Sequence, residues 1–178
     1  MPQLLTSMFS LSRHQPHAPL DQETAAFLRH IRTLTRRTRQ VFVLSRLDQL
    51  SYGAIAQLLD IDISAVERRM VRALGHCSDL DRSSSADAAG QQARRWYVHL
   101  QSPQATASQR IEFRHWLDAD MQHLQAFEQT ERLWRQLHAP AAILGASGWH
   151  RRKRRGYLLW ALLTTLLCSV LVTAQTFI

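Results

Sequence analysis

Residues 50–77 read LSYGAIAQLLDIDISAVERRMVRALGHC, and their periodicity decides the fold. Tyr52, Ile55, Ala56 and Leu59 fall at i, i+3, i+4 and i+7, one face of a short helix that Ser51 can cap. After a tight turn, Ser64-Ala65-Val66-Glu67 has the S-x-x-E form of a capping box, in which serine and glutamate each satisfy an orphan N–H. The helix that follows carries an apolar stripe of Val66, Met70, Ala73, Leu74 and Cys77. Its other side holds Arg68, Arg69, Arg72 and His76. A helix buried on one side and arginine-coated on the other, set just after a partner helix, is what a helix-turn-helix reader presents to a DNA major groove. The same residues also suit a plain amphipathic helix pair with solvated arginines.

Upstream, Asp21 can cap a helix bearing Phe27, Leu28, Ile31 and Leu34. Thr35 can cap a second, with Val41, Phe42, Leu44 and Leu47 towards a core and Arg36, Arg37, Arg39 and Arg46 towards solvent. Residues 20–80 thus make a four-helix unit, of a size at which a single core is workable. Downstream, residues 81–92 are small and polar, a linker pattern. Three more helices follow. The first has Ala89, Ala93, Trp96, Tyr97 and Leu100 on one stripe. Thr106 and Gln109 can box-cap the second, which bears Ile111, Phe113, Trp116 and Leu117. Asp120 can cap the third, with Leu124, Phe127, Trp134 and Leu137 beside Ala126, Thr130 and Leu133. The ordinary role of such tryptophans is core packing, and anchoring a partner helix is the alternative.

The 178 residues have 46% apolar content, few glycines and prolines, and a formal charge of +8. The surplus is local. Five cations stand together at 151–155, whereas residues 21–80 hold nine arginines against seven acids, and 86–140 balance at six each. DNA binding is therefore argued from where charges sit rather than from their sum. Two cysteines and nine scattered histidines form no disulfide framework or metal-ligand spacing. With no phosphate loop or nucleophile–base pair either, neither an enzyme nor a cofactor is expected.

Residues 1–19 read as an unstructured lead without signal-peptide character. Residues 139–150 read as a second linker. Tyr157 to Ala174 is uncharged and overwhelmingly apolar, extension to Ile178 gives a length that suits a hydrocarbon core, and the basic block before it orients the N-terminal side to the cytoplasm. The expected fold class is all-α: a four-helix helix-turn-helix unit, a three-helix unit over 93–138, and one C-terminal transmembrane helix. The expected location is the bacterial inner membrane, single-pass, with the N-terminus cytoplasmic.

The stretch TLTRRTRQVFVLSRLDQLSYGAIAQLLDIDISAVERRMVRALGHC resembles the fourth region of sigma-70 factors of the extracytoplasmic-function, iron-uptake type, a winged-helix-like unit. The resemblance implies reading of a −35-like promoter element and docking on RNA polymerase, with Ser64, Ala65, Arg68, Arg69 and Arg72 facing DNA. Glu67 could accept from a cytosine amino group instead of capping. Thr35, Ala54 and Asp60 stand where the family usually has proline, glutamate and glycine, and the sigma second region is not seen. The stretch QQARRWYVHLQSPQATASQRIEFRHWLDADMQHLQAFEQTERLWRQL is similar to the cytoplasmic domain of FecR-type anti-sigma regulators, through Trp96 with Leu100, Trp116-Leu117 before Asp120, His123 ahead of Ala126-Phe127, and Trp134. That implies an extracytoplasmic-function sigma factor as partner, engaged through Trp96, Trp116 and Trp134. The expected protein is a membrane-anchored transcription regulator controlling initiation of iron-uptake genes. The alternatives are a protein-binding scaffold, or a truncated remnant of a longer sigma/anti-sigma fusion.

Overall fold

The computed structural model describes residues 21–79 and 88–151. The first four helices are α1 (Gln22–Thr33), α2 (Arg36–Arg46), α3 (Tyr52–Leu59) and α4 (Ile63–Ser78). Their boundaries follow local chemistry. Thr35 accepts from the Thr38 N–H at 3.3 Å and starts α2; Ser51 accepts from Ala54 N–H at 3.2 Å and starts α3. Asp21 precedes α1, but its side chain makes no capping bond. Asp60 ends α3 in the left-handed region, φ 55°, where a short polar side chain is tolerated better than most. All the residues assigned to the apolar stripes of α1, α3 and α4 are buried.

The next helices are α5 (Ala88–Leu100), α6 (Ala107–Ala119), α7 (Met121–Gln136) and α8 (His138–Gly145), followed by a 3₁₀ turn at Trp149–Arg151. Thr106 and Gln109 form the expected capping box, and Asp120 accepts from Gln122 N–H at 2.9 Å. α5 is wedged between α7 and α4, which gives it two buried faces rather than the single stripe of its sequence pattern. Val98 and Arg94 are consequently buried, while Trp96, Tyr97 and Leu100 are half-buried. α6 packs mainly on α7, touches α5 through Phe113 and Gln109, and buries no residue fully; Ile111 stays 59% exposed.

One core runs through both halves. Val98, Leu133, Leu137 and Ala141 belong to the same cluster as Phe42, Ile55, Val66 and Leu74. Trp134 closes the seam, edge-on to Phe42 at 6.2 Å and 6.0 Å from Tyr97, with the Arg46 guanidinium 4.9 Å above its ring. Arg46 is thus half-buried rather than solvated. Arg39 likewise lies over Trp149, at 5.8 Å.

The segment expected as a second linker is docked on α2. A Cβ at Gly145 would collide with Leu47 and stand 3.0 Å from Val43, so only glycine lets α8 approach this closely. Gln40 donates to the His150 carbonyl at 2.7 Å. Asp48 receives His150 Nε2 at 3.0 Å and a two-pronged guanidinium from Arg151, at 2.6 and 3.1 Å. Alanine, glycine and leucine spacing looks like a linker locally; it is the far side chains of α2 that fix it.

Two expectations are corrected. The fold is all-α, but among the described residues there is no strand to serve as a wing, and no helix is long and apolar enough to cross a membrane. The longest, α4 and α7, have 16 residues each. That is about 24 Å at 1.5 Å per residue, short of a hydrocarbon core of about 30 Å, and both carry charges. The expected inner-membrane location falls with that transmembrane helix. The span assigned to 157–178, the lead at 1–19 and residues 81–87 of the first linker lie outside the described residues.

Candidate nucleic-acid interface

α3 and α4 meet through a three-residue connection, Asp60 to Asp62, in which Ile61 N–H reaches back to the Ala56 carbonyl at 3.0 Å. Ile55, Ala56 and Leu59 press into the core opposite Val66, Met70 and Leu74, which turns the other side of α4 outward. On that side Ser64, Arg68 and Arg72 are exposed, while Ala65 and Arg69 are half-buried. The five residues therefore share one helix flank. Arg69 folds back along the helix and donates from Nη1 to the Ala65 carbonyl at 3.1 Å. Partial burial, then the charges of Arg37, Arg68 and Arg72, hold its pKa below the usual arginine value. Arg37, from α2, thus belongs to the same cationic cluster. Sequence spacing placed it on a solvated face, and only the crossing of α2 over α4 brings it to this one.

The expected capping box at Ser64 does not form. α4 begins two residues earlier, with Asp62 at the cap and no side-chain bond there; the backbone carbonyl of Asp62 takes the N–H groups of Ala65 and Val66. Glu67 is instead drawn sideways to α5, its Oε2 3.5 Å from His99 Nδ1, with Oε1 buried and without a hydrogen-bond partner among the described residues. His99 Nε2 meets Gln109 Oε1 at 2.9 Å. No arginine of the α4 cluster is ion-paired among the described residues, so its charge is free to act outward. His76 is not part of that face: its Nε2 lies 2.7 Å from Thr33 Oγ1, against the end of α1.

The approach of α5 has a geometric consequence. Arg68, Val71 and Arg72 of α4 form one wall of a groove whose other wall is Gln92, Arg95 and Trp96 of α5. One flank of the arginine helix is therefore open and the other is bordered by the second unit.

The three tryptophans named for partner binding occupy different settings. Trp96 packs on Phe113 at 5.7 Å, and its Nε1 is buried without a hydrogen-bond partner among the described residues. Trp116 stacks on His123 at 4.4 Å, and the His123 Nδ1 donates to the Trp116 carbonyl at 2.7 Å, which makes this histidine a brace between α6 and α7. Trp134 is committed to the seam with α2. All three are half-buried. Among the described residues no group of three or more His, Cys, Asp or Glu could hold a metal. Cys77 is buried, and desolvation pushes its thiol up to about 12.

Comparisons with known proteins divide the chain as the fold does. Residues 24–77 match the family described as Sigma-70, region 4, and residues 91–133 match a Domain of unknown function (DUF4880). The chain is similar to the Ferric citrate uptake sigma factor FecI of Escherichia coli (strain K12), 43% identical over 44 residues. That alignment spans 25% of this chain and 25% of that protein, so the chain covers about a quarter of its relative's length. No solved structure matches. The match over 91–133 carries no function, and the anti-sigma reading of the second unit rests on resemblance alone. The match over residues 24–77 and the likeness to that sigma factor support a sigma-like, DNA-binding regulator of transcription.

Proposed function

We propose that this chain is a transcription regulator whose α4 enters the major groove of a −35-like promoter element while the same unit contacts RNA polymerase. The observation that carries the reading is the cluster of Arg68, Arg69 and Arg72, with Arg37 beside it, not ion-paired among the described residues and raised over a helix-turn-helix whose opposite face is buried. An α-helix fits the major groove, and arginine forks match both guanine edges and phosphates. Ser64 and Ala65, at the start of α4, are placed to approach the groove floor, and Arg68 and Arg72 one and two turns on.

The second unit, α5 to α7, is proposed to engage an extracytoplasmic-function sigma factor through the half-buried surface around Trp96 and Trp116. The likeness to an iron-uptake sigma factor supports iron-uptake genes as the target. A pure scaffold is the second reading, favoured by one observation: α5 borders the flank of α4 and limits how a duplex can approach.

Selection from a random duplex pool by the immobilised chain separates the two. Enrichment of a −35-like hexamer, abolished in the R68A/R72A variant, is the expected result. A pool that stays unenriched while the protein is folded would favour the scaffold.

A further inference from the structure

A second cleft, distinct from the groove beside Arg68 and Arg72, encloses about 570 Å³ between α1, the end of α4, α5 and α7. That volume suits a small molecule. Phe27, Ala126 and Leu133 give it an apolar wall; Ser78, Gln129 and Thr130 add polar groups. Glu23 and Arg132 also line it, and Arg132 already faces Glu128 at 3.7 Å.

Arg94 is the unusual member. It is 6% exposed, yet it has no hydrogen bond or ion pair among the described residues. It lies across Gly75, its Nε 3.8 Å from where a Cβ would stand, an ordinary contact distance. Asp79 acts on it only through space, and desolvation outweighs that attraction, lowering its pKa. A partly desolvated guanidinium with only a through-space carboxylate nearby is destabilising, and a bound anion offsets that cost. Arginine's planar fork suits two coplanar or near-coplanar oxygens.

We propose that this cleft binds a small oxyanion, a monocarboxylate or a phosphate monoester, with its charged end on Arg94 and its body against Phe27 and Leu133. Glu23 on the same wall disfavours a polyanion. Because α1 and α4 supply one side and α5 and α7 the other, the ligand clamps the two units together. This goes beyond the DNA-reading proposal and does not depend on it.

The test uses the full chain with two probes at matched ionic strength, inorganic phosphate and benzoate, read by thermal unfolding and by the Arg94 Nε–Hε resonance. At a tenfold excess over Kd, a stabilising probe raises Tm by about 3–5 °C in a chain of this size. A rise with phosphate assigns the phosphate class, and a rise with benzoate the carboxylate class. In either case the Arg94 resonance shifts in step. R94Q is expected to fold at least as stably as the wild type and to lose the response. If R94Q does not fold, R94K, which keeps the charge but not the fork, is expected to bind roughly tenfold more weakly. No rise with either probe, an equal rise in the folded variant, or a rise without movement of the Arg94 resonance would overturn the proposal.

Discussion

Glu67 of α4 faces His99 of α5 at 3.5 Å, so the helix that carries the arginine cluster is held sideways by the second unit. The contact sits one position from Arg68 and joins the two matched families in a single body. It also explains why the S-x-x-E pattern of the sequence does not cap α4: the glutamate is engaged elsewhere.

That contact predicts a measurable coupling. In a double-mutant cycle of E67Q and H99A, the pair should contribute about 0.5–1 kcal/mol, because both side chains are partly screened. If α5 restricts duplex approach, H99A should also tighten DNA binding by roughly two- to fivefold, measured by fluorescence anisotropy. Additive stabilities with unchanged affinity would remove α5 as a restraint on α4.

Asp48 ties α2 to the turn after α8. The Arg151 guanidinium bonded to it, more than the His150 beside it, holds its carboxyl below the usual carboxylate range. A carboxyl depressed in the folded state contributes stability above its unfolded value, about pH 4, and loses it as pH falls through the folded value. D48N should therefore lower stability by about 1–3 kcal/mol at neutral pH, because it removes the charge and turns one of the two accepting oxygens into an amide NH2 that faces His150 or Arg151 as a second donor. The gap between D48N and wild type should narrow below pH 4 in urea unfolding monitored by circular dichroism. A constant gap from pH 7 to 3 would show that Asp48 is not charged in this clip.

Gly145 lets α8 lie against Leu47 and Val43. G145A forces a methyl into that contact and should destabilise by about 1–3 kcal/mol, with hydrogen exchange rising in 138–151 while α3 stays protected. Unchanged exchange would mean that α8 is held by something other than this close approach.

Asp60 stands in the left-handed conformation that ends α3. Replacing it by glycine relieves the Cβ penalty and should stabilise by about 0.5 kcal/mol, visible as a higher urea midpoint at unchanged slope. A destabilised D60G would point to a side-chain role for Asp60 beyond the turn.

The fold was legible where one element decides its own state. Ser51, Thr35, Thr106 and Asp120 cap as their spacing suggests, and the 3.6-residue stripes of α1, α3 and α4 all point inward. The site was half legible. Ser64, Arg68 and Arg72 lie outward because Val66, Met70 and Leu74 must lie inward, and that is a property of the helix alone. Arg37, the diversion of Glu67 and the burial of Arg94 depend on which helix crosses which, information that no local pattern carries. The docking of α8 escaped for the same reason: its partners Val43, Leu47 and Asp48 are about a hundred positions away.

The account turns on α4 using its arginines against a duplex. The direct measurement is duplex affinity between 50 and 200 mM salt for the wild type and for R68A/R72A, both checked for native circular dichroism. If both side chains reach phosphates, the log–log slope should fall by about two in the variant, at roughly 0.9 per phosphate. Equal slopes and equal affinities in the two proteins would contradict the assignment of α4 as the DNA-reading helix.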